Sequence, residues 1–264
     1  RHGARGAPPP AEPPAQDRPV AFVIPGMTGT RLAQRGIRYW ASPQQLVWGG
    51  LTRLRIDAPE VVPDGLVDRS YRDLCDALGS AFAVHRWGYD WRRPLAEAAA
   101  RLAADVAAQL DRHPHPIHLV AHSTGGLVAR GLVADHPQLW ARLRARGGRL
   151  LMLGCPNHGS WIPVQLVARA HPLVQWLGRV DPEHDPDDLA RTLAAWPRLL
   201  EGLPVQEGAD LLDRVAWRGA LSSWAPPADL LASARAFRSR LEARGSTPEG
   251  MVQVAGLGIS TPVS

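Results

Sequence analysis

One strand–turn–helix unit constrains the fold of this 264-residue chain more than any other feature. Residues 117–121 form an apolar run that predicts a buried strand, and residues 124–135 carry the pattern of a helix. The turn between them reads AHSTG, with small residues two before and two after Ser123. Small residues there let strand and helix approach closely, so that the serine hydroxyl projects above a sheet. The unit therefore predicts an α/β protein with Ser123 displayed at the end of a strand.

Strands alternate with helices along much of the chain, which favours a mostly parallel sheet flanked by helices. Ser70 is predicted to cap a helix that ends at Gly79. Between the first strand and about residue 68 the hydrophobic residues follow no strong period, and no helix or strand is predicted there. The further predicted strands are 20–24, 82–87, 149–154 and 251–255, and the longest predicted helix is 94–112.

The chain is predicted to hold one folded domain at 19–264, after a disordered Pro-rich leader or linker at 1–18. Residues 159 to about 248 contain several helical pieces and five of the ten tryptophans, but no convincing strand. This region, called the cap segment below, is interpreted as a helical cap inserted between two strands of the sheet.

Composition excludes several classes of function. The net charge is +5, but the arginines are dispersed and form no aromatic-spaced basic patch, so no nucleic-acid partner is expected. Two cysteines are neither a disulfide framework nor a metal site, and no metal or organic cofactor is indicated. No apolar run is long enough for a transmembrane helix and no signal peptide is recognisable, so a soluble, cytoplasmic protein is expected.

Ser123 in such a turn is a candidate nucleophile, although a serine can also cap an ordinary strand–helix junction. The backbone N–H of Thr124, at the helix start, can point at an oxyanion. The glycine-rich turn PGMTGT at 25–30 follows the first strand, and Met27 N–H is assigned as the second oxyanion donor. A plain turn remains the alternative for this segment. A Walker phosphate loop does not fit it, because the chain contains no lysine.

Four motifs, in order, resemble the lecithin–cholesterol acyltransferase-like proteins. They are VIPGMTGTRL at 23–32, YDWR at 89–92, AHSTGG at 121–126 and GCPNHGS at 154–160. Two further segments resemble the family more weakly: WPRLLEGLP at 196–204 and VAGLG at 254–258. The resemblance covers about residues 20–260.

This resemblance implies an α/β-hydrolase fold and a serine enzyme acting on lipid esters, with transfer of an acyl group from a phospholipid to an alcohol or water. A lipid substrate implies transient contact with a membrane surface. The resemblance supports Met27 and Thr124 as the oxyanion pair and places the remaining site residues around them as scaffold or pocket lining. These residues are Gly26, Asp90, His122, Gly125, Asn157 and His158.

Asp90 is interpreted as scaffold rather than as the triad acid, and His122 as a neighbour of the nucleophile rather than as its base. In this fold the triad runs serine, acid, histidine, and the last two follow the strand after the cap. That strand is predicted at 251–255, and no histidine follows His184.

Three explanations for the missing partners stay open. We expect a C-terminally incomplete fold that lacks its last strands, with the acid and histidine beyond Ser264. A pseudoenzyme is the second explanation. In the third, the cap supplies His184 together with an aspartate of the acidic segment 181–188, which is otherwise interpreted as a solvated loop.

The sequence therefore favours a lipid acyltransferase or a lipase/esterase that works through an acyl-serine. The alternatives are a non-catalytic lipid- or protein-binding member of the fold and a soluble short-chain esterase. The oligomeric state is left open.

Overall fold

The computed structural model describes residues 18–47, 49–181, 184–204, 210–217, 224–243 and 249–256. Apart from Arg18, the predicted leader at 1–18 lies outside the described residues.

Eight strands form two sheets in the described part of the chain. They are β1 (Val20–Ile24), β2 (Thr30–Gln34), β3 (Ile37–Trp40), β4 (Val61–Leu66), β5 (Ala83–Arg86), β6 (Ile117–His122), β7 (Leu150–Leu153) and β8 (Met251–Val254). The main sheet has the order β5-β1-β6-β7-β8, and all its neighbours run parallel. The central strand is β6, so the turn that follows it lies at the middle of the sheet's carboxyl edge.

Ten α-helices accompany these strands within the described ranges. They are α1 (Pro43–Val47), α2 (Asp68–Gly79), α3 (Leu95–Arg112), α4 (Gly125–Asp135), α5 (Pro137–Ala145), α6 (Ile162–Val167), α7 (Pro172–Val180), α8 (Pro186–Ala194), α9 (Pro197–Glu201) and α10 (Ala228–Ala243). Two short 3-10 helices lie at Thr52–Leu54 and Arg214–Trp217. The predicted mostly parallel sheet flanked by helices is confirmed.

The core is built on β1, β6 and α4. Every residue of β1 is fully buried, as expected for a central parallel strand covered on both faces. Helix α4 is buried on nearly all sides and is almost wholly apolar, so α3 covers it with a stripe of alanine and leucine. Each buried Leu or Val in this core contributes about 1.5–3 kcal/mol relative to leaving it in water.

The second sheet is antiparallel, with the order β3-β2-β4, and the sequence pattern did not predict it. Strand β4 contains Pro63 and Gly65, which both disfavour strands, and β3 is largely exposed. Such a strand lacks the strict alternation that marks a half-buried sheet.

Two local predictions were wrong. Helix α2 begins at Asp68, with Val67 at its N-cap position, so Ser70 lies inside the helix and is not its cap. The acidic segment 181–188 is not simply a solvated loop: Asp185 caps α8 by accepting from Asp188 N–H at 2.8 Å. Asp187 is paired with Arg169.

The described residues between β7 and β8 are helical or irregular, as expected for the cap segment. The limits of this segment, and the division of the chain at residue 18, remain predictions. Among the described residues, no helix combines the length and apolar character required to cross a membrane.

Candidate active site

Ser123 occupies a strained backbone conformation at the end of β6. Its φ is +53°, in the left-handed region that a non-glycine residue seldom adopts. The Ser123 N–H donates to Leu153 O at 2.9 Å, which fixes the turn to the adjacent strand β7. Strain held in place by the surrounding sheet is typical of functional turns, and here it lifts the side chain out of the strand.

Two glycines allow the elements around Ser123 to approach closely. A Cβ at Gly26 would lie 2.8 Å from Ser123 Cβ and 3.1 Å from its Oγ. A Cβ at Gly125 would lie 2.5 Å from Pro25 O. The turn after β1 and the start of α4 can therefore pack against the nucleophile only because both positions lack a side chain.

Met27 and Thr124, the predicted oxyanion pair, lie in contact. Met27 N–H donates to Thr124 Oγ1 at 2.8 Å. Thr124 is the N-cap residue of α4, where backbone N–H groups of the first turn have no partner within the helix. In this state the Met27 N–H is directed at the threonine hydroxyl, and the oxyanion role of the pair remains a prediction.

Tyr71 joins the turn after β1 to the residue before the nucleophile. Its hydroxyl accepts from Gly26 N–H at 2.9 Å and lies 2.8 Å from His122 Nδ1. Burial raises the pKa of Tyr71 to about 12, so the phenol keeps its proton and donates it to His122. Burial also lowers the pKa of His122, which favours the neutral ring that accepts this proton. His122 thus lies where the sequence placed it, beside the nucleophile.

Tyr89 holds the same turn from the opposite side. Its hydroxyl donates to Pro25 O at 3.1 Å, and burial raises the pKa of this phenol. Trp91 Nε1 donates to Thr30 O at 2.8 Å, which fixes the far end of the turn. The segment from Pro25 to Thr30 is therefore held by side chains from helix α2 and from the loop that follows β5.

Asp90 forms a buried, bidentate ion pair with Arg92. Asp90 Oδ1 accepts from Arg92 Nε at 2.9 Å, and Oδ2 accepts from Nη2 at 2.7 Å. Arg92 also donates to Arg55 O at 2.6 Å. Because both carboxylate oxygens are occupied, this geometry fits the scaffold role expected for Asp90.

Asn157 and His158 line a cavity of about 200 Å³ between α4, α9 and α10. Asn157 Oδ1 accepts from Arg130 Nη1 at 3.1 Å. Glu201 also lines the cavity, and burial raises its pKa to about 7. Ser123 is not among the lining residues, so the predicted role of this turn as the floor of the nucleophile's pocket remains a prediction.

No histidine of the described residues is hydrogen-bonded to Ser123 Oγ. His184 Nδ1 does lie 3.1 Å from Asp181 Oδ2. His184 borders an open groove with Arg53, Arg55 and Arg191, and Ser123 does not line that groove. The cap therefore holds a histidine–aspartate pair, but the structure does not bring it to the nucleophile. In the described part of the chain, no three His, Cys, Asp or Glu side chains are grouped to hold a metal ion.

Sequence reasoning missed three residues around the turn. Tyr71 lies on an amphipathic helix, where its position predicts only burial, and the reach of its hydroxyl has no local signal. Tyr89 was noted as part of the YDWR motif, but its contact with Pro25 depends on the packing of β1 against β5. Arg198, from the cap segment, is buried close to Tyr89.

No model of a protein family matches the chain, and no curated protein matches it. Among solved structures, a chain of the Tle4–Tli4 complex is 16% identical, with a TM-score of 0.58 over 89% of this chain and 74% of that one. At this identity the likeness shows the fold and not the activity. Together with the sheet order, it confirms the predicted α/β-hydrolase fold.

Two further structures are of the Bacillus licheniformis lipase BlEst2. The mature form is 16% identical, with a TM-score of 0.38 over 70% of this chain and 58% of that one. The propeptide form is 17% identical, with a TM-score of 0.35 over 71% of this chain and 33% of that one. TM-scores this low carry no argument about function.

Proposed function

We propose that this chain is a serine esterase of the lipase or acyltransferase type, with Ser123 as the nucleophile. The observation that carries the proposal is the conformation of Ser123. It has a left-handed φ on a strand–helix turn, and its side chain faces Gly26 across a gap that admits no Cβ. A serine that only caps a helix needs neither the strain nor the close approach.

The reaction follows from this geometry. Ser123 Oγ attacks the carbonyl carbon of an ester while a general base takes its proton, and a tetrahedral oxyanion forms. The N–H groups of Met27 and Thr124 are positioned to donate to that oxyanion once Met27 turns from the Thr124 hydroxyl. Collapse of the intermediate expels the alcohol, which takes the proton from the base and leaves an acyl-serine. Water or a second alcohol then accepts the acyl group.

The general base is expected after β8. The α/β-hydrolase order places the acid and the histidine C-terminal to that strand, and His184 precedes it. Neither His184 nor His122 is directed at Ser123 Oγ in the structure. Residues 257–264 contain no histidine, so we assign the base to sequence beyond Ser264.

A lipid ester is the favoured substrate, on the strength of the four motifs of the sequence. The five tryptophans of the cap segment support this choice less than their number suggests. Trp196 and Trp217 are buried at 1% and 2% exposure and fill the core rather than line an open pocket. Trp176 is 43% exposed and is the cap tryptophan best placed to meet a lipid surface.

Covalent labelling with a fluorophosphonate tests the proposal, because the probe traps only an activated serine. We expect one adduct, located on Ser123 by peptide mass spectrometry, and no adduct in Ser123→Ala. Both this chain and any longer product of the same reading frame should be labelled in parallel, since the base is assigned beyond Ser264. Absence of a Ser123 adduct in every form would leave a non-catalytic binding protein as the better interpretation.

Chain-length preference then separates a lipid esterase from a short-chain esterase. Rates with p-nitrophenyl acetate, octanoate and palmitate, measured for wild type and Ser123→Ala, give the profile. A rise towards octanoate or palmitate supports a lipid ester as substrate. A steep preference for acetate contradicts it and favours the short-chain enzyme.

A further inference from the structure

Arg198 is an unusual residue of the cap segment. It lies on α9 and is only 1% exposed, yet its Nε and both Nη atoms have no hydrogen-bond partner in the described part of the chain. The other buried arginines are satisfied. Arg92 binds Asp90 and two carbonyls, Arg130 binds Asn157 and Leu241 O, and Arg238 binds the carbonyls of Glu201 and Leu203.

An unpaired buried guanidinium is costly for folding, because the charge loses its hydration and gains no hydrogen bond. A leucine or methionine of similar size would fill the same space at no such cost. A charge retained at this position therefore calls for an explanation in function rather than in stability.

The position of Arg198 indicates what the charge acts on. The Arg198 guanidinium and the Thr124 hydroxyl both act to lower the pKa of Tyr89, against the larger effect of burial. The Tyr89 hydroxyl donates to Pro25 O, the first residue of the turn that carries Gly26 and Met27. Trp196, the residue before α9, lies edge-on to Trp91 at 5.2 Å, so the helix that carries Arg198 packs against the loop that carries Tyr89.

Nearby negative charge does not cancel this guanidinium. The nearest acidic group on the same helix is Glu201, whose pKa burial raises to about 7, with Arg198 opposing the shift. Glu201 Oε2 accepts from Leu95 N–H at 2.8 Å and makes no ion pair with Arg198. The field of a cation in a dry interior reaches further than it would in water.

We propose that Arg198 is a positioning residue for the reaction at Ser123, acting through Tyr89 on the oxyanion turn. Its charge polarises the Tyr89 hydroxyl, which strengthens the hydrogen bond to Pro25 O and fixes the peptide that presents Met27 N–H. The same charge favours the negative oxygen of the tetrahedral intermediate over the neutral ester carbonyl. This inference rests on the proposed esterase function.

The test compares Arg198→Met, Arg198→Lys, Tyr89→Phe and the Arg198→Met/Tyr89→Phe double variant. For each, kcat and KM are measured with the preferred p-nitrophenyl ester. Inhibition by a trifluoromethyl ketone with the same acyl chain is measured alongside, because its adduct carries the oxyanion. Thermal unfolding gives Tm. Arg238→Met is the matched control, since it removes a buried arginine that has carbonyl partners.

We expect Arg198→Met to lower kcat about tenfold with KM unchanged, and to raise the inhibition constant of the trifluoromethyl ketone by a similar factor. The Tm of this variant should stay the same or rise, because the substitution leaves no buried group without its hydrogen-bond partner. Arg198→Lys should recover most of kcat. The fold loss of kcat in the double variant should be smaller than the product of the two single losses, since both residues act on the same hydrogen bond to Pro25 O. Arg238→Met should lower Tm and leave kcat unchanged.

The possible failures are distinguishable. If neither this chain nor a longer product of the same reading frame hydrolyses the ester or forms a Ser123 adduct, the proposed function is overturned, and the inference with it. An active wild type with kcat unchanged in Arg198→Met overturns the inference alone. A fall in Tm in Arg198→Met matching that of Arg238→Met, with KM and kcat moving together, shows a structural role and also overturns it.

Discussion

The two sides of Ser123 differ sharply in how they are held. On the side that carries the proposed oxyanion donor Met27, β1 is fully buried, and the turn that follows it is hydrogen-bonded by Tyr71 and Tyr89. On the opposite side, β8 is the edge strand of the described sheet, and Val252 and Val254 are 49% and 50% exposed. Rigidity is concentrated where negative charge is expected to develop.

Under the proposed function, this contrast matches the need for preorganisation in the oxyanion half of the site more than in the half that supplies the base. Oxyanion donors act only if they are already in place when charge develops, so their turn must be rigid before substrate arrives. A proton-accepting group can be delivered by a loop that follows an edge strand, since hydrogen bonding to the serine aligns it. Substitutions on the β1 side and the β8 side of Ser123 can test this difference, beginning with the largest expected effect.

Gly26→Ala should abolish most activity, because the new Cβ would lie 2.8 Å from Ser123 Cβ and force the turn away. We expect a loss of about 100-fold in kcat/KM, with a fall of about 1–3 kcal/mol in the free energy of unfolding. Ester hydrolysis and urea unfolding measure the two effects. Gly79→Ala is the control, since nothing lies within 4 Å of its Cβ position. Equal activity in the two variants would contradict the packing argument.

Tyr71→Phe should leave the Gly26 N–H buried without its acceptor. The expected cost is about 1–3 kcal/mol in the free energy of unfolding, together with a roughly tenfold loss in kcat. Tyr39→Phe, which removes the hydroxyl of a half-buried tyrosine on β3, is the matched control and should change neither quantity. If Tyr71→Phe behaves like Tyr39→Phe, the turn is held by packing alone.

Val23→Thr and Val252→Thr place the same substitution in the two strands that are compared, β1 and β8. Val23 is fully buried in β1, so its new hydroxyl should cost about 1–3 kcal/mol in the free energy of unfolding. Val252, half-exposed in β8, should stay within about 0.5 kcal/mol of wild type. Urea unfolding measures both. A loss for Val252→Thr that matched Val23→Thr would show that β8 is covered in the folded protein.

His122→Asn should change how stability depends on pH. Because burial lowers the pKa of His122 in the folded state, its contribution is fully present above the unfolded value of about 6.5. That contribution is lost as the pH falls from about 6.5 through the folded pKa. The Tm of wild type should therefore drop more than that of the variant between pH 8 and pH 5. The partly buried His85 and His118 also have lowered pKa values and titrate in the same sense in both proteins, so parallel curves would refute the assignment to His122.

The sequence predicted the main sheet and the nucleophile turn because both depend on local patterns. An apolar run such as β1, or small residues around Ser123, restricts the backbone regardless of what packs against it. The second sheet was missed because β4 contains Pro63 and Gly65, and only its pairing with β2 makes it a strand. The N-cap of α2 was misplaced by three residues, at Ser70 instead of Val67, since Ser70 resembles a cap although Asp68 already lies in the helix.

The contacts that hold the site could not be predicted, because they join residues distant in sequence. Tyr71 reaches Gly26 across 45 residues, and Met27 reaches Thr124 across 97. No periodicity encodes such a contact. Arg198 belongs to the same class, since its sequence context predicts a charged residue on a helix and gives no sign that it is buried.

Three indole rings connect regions that fold around the site. Trp40 of the small sheet lies edge-on to Trp91 at 5.4 Å, and Trp91 lies edge-on to Trp196 of the cap segment at 5.2 Å. Rings this close and steeply inclined couple their electronic transitions. The near-ultraviolet circular dichroism of this protein should therefore contain a signal that exists only while cap, core and small sheet are assembled. Docking of the cap could then be followed optically, without a label and without a substrate.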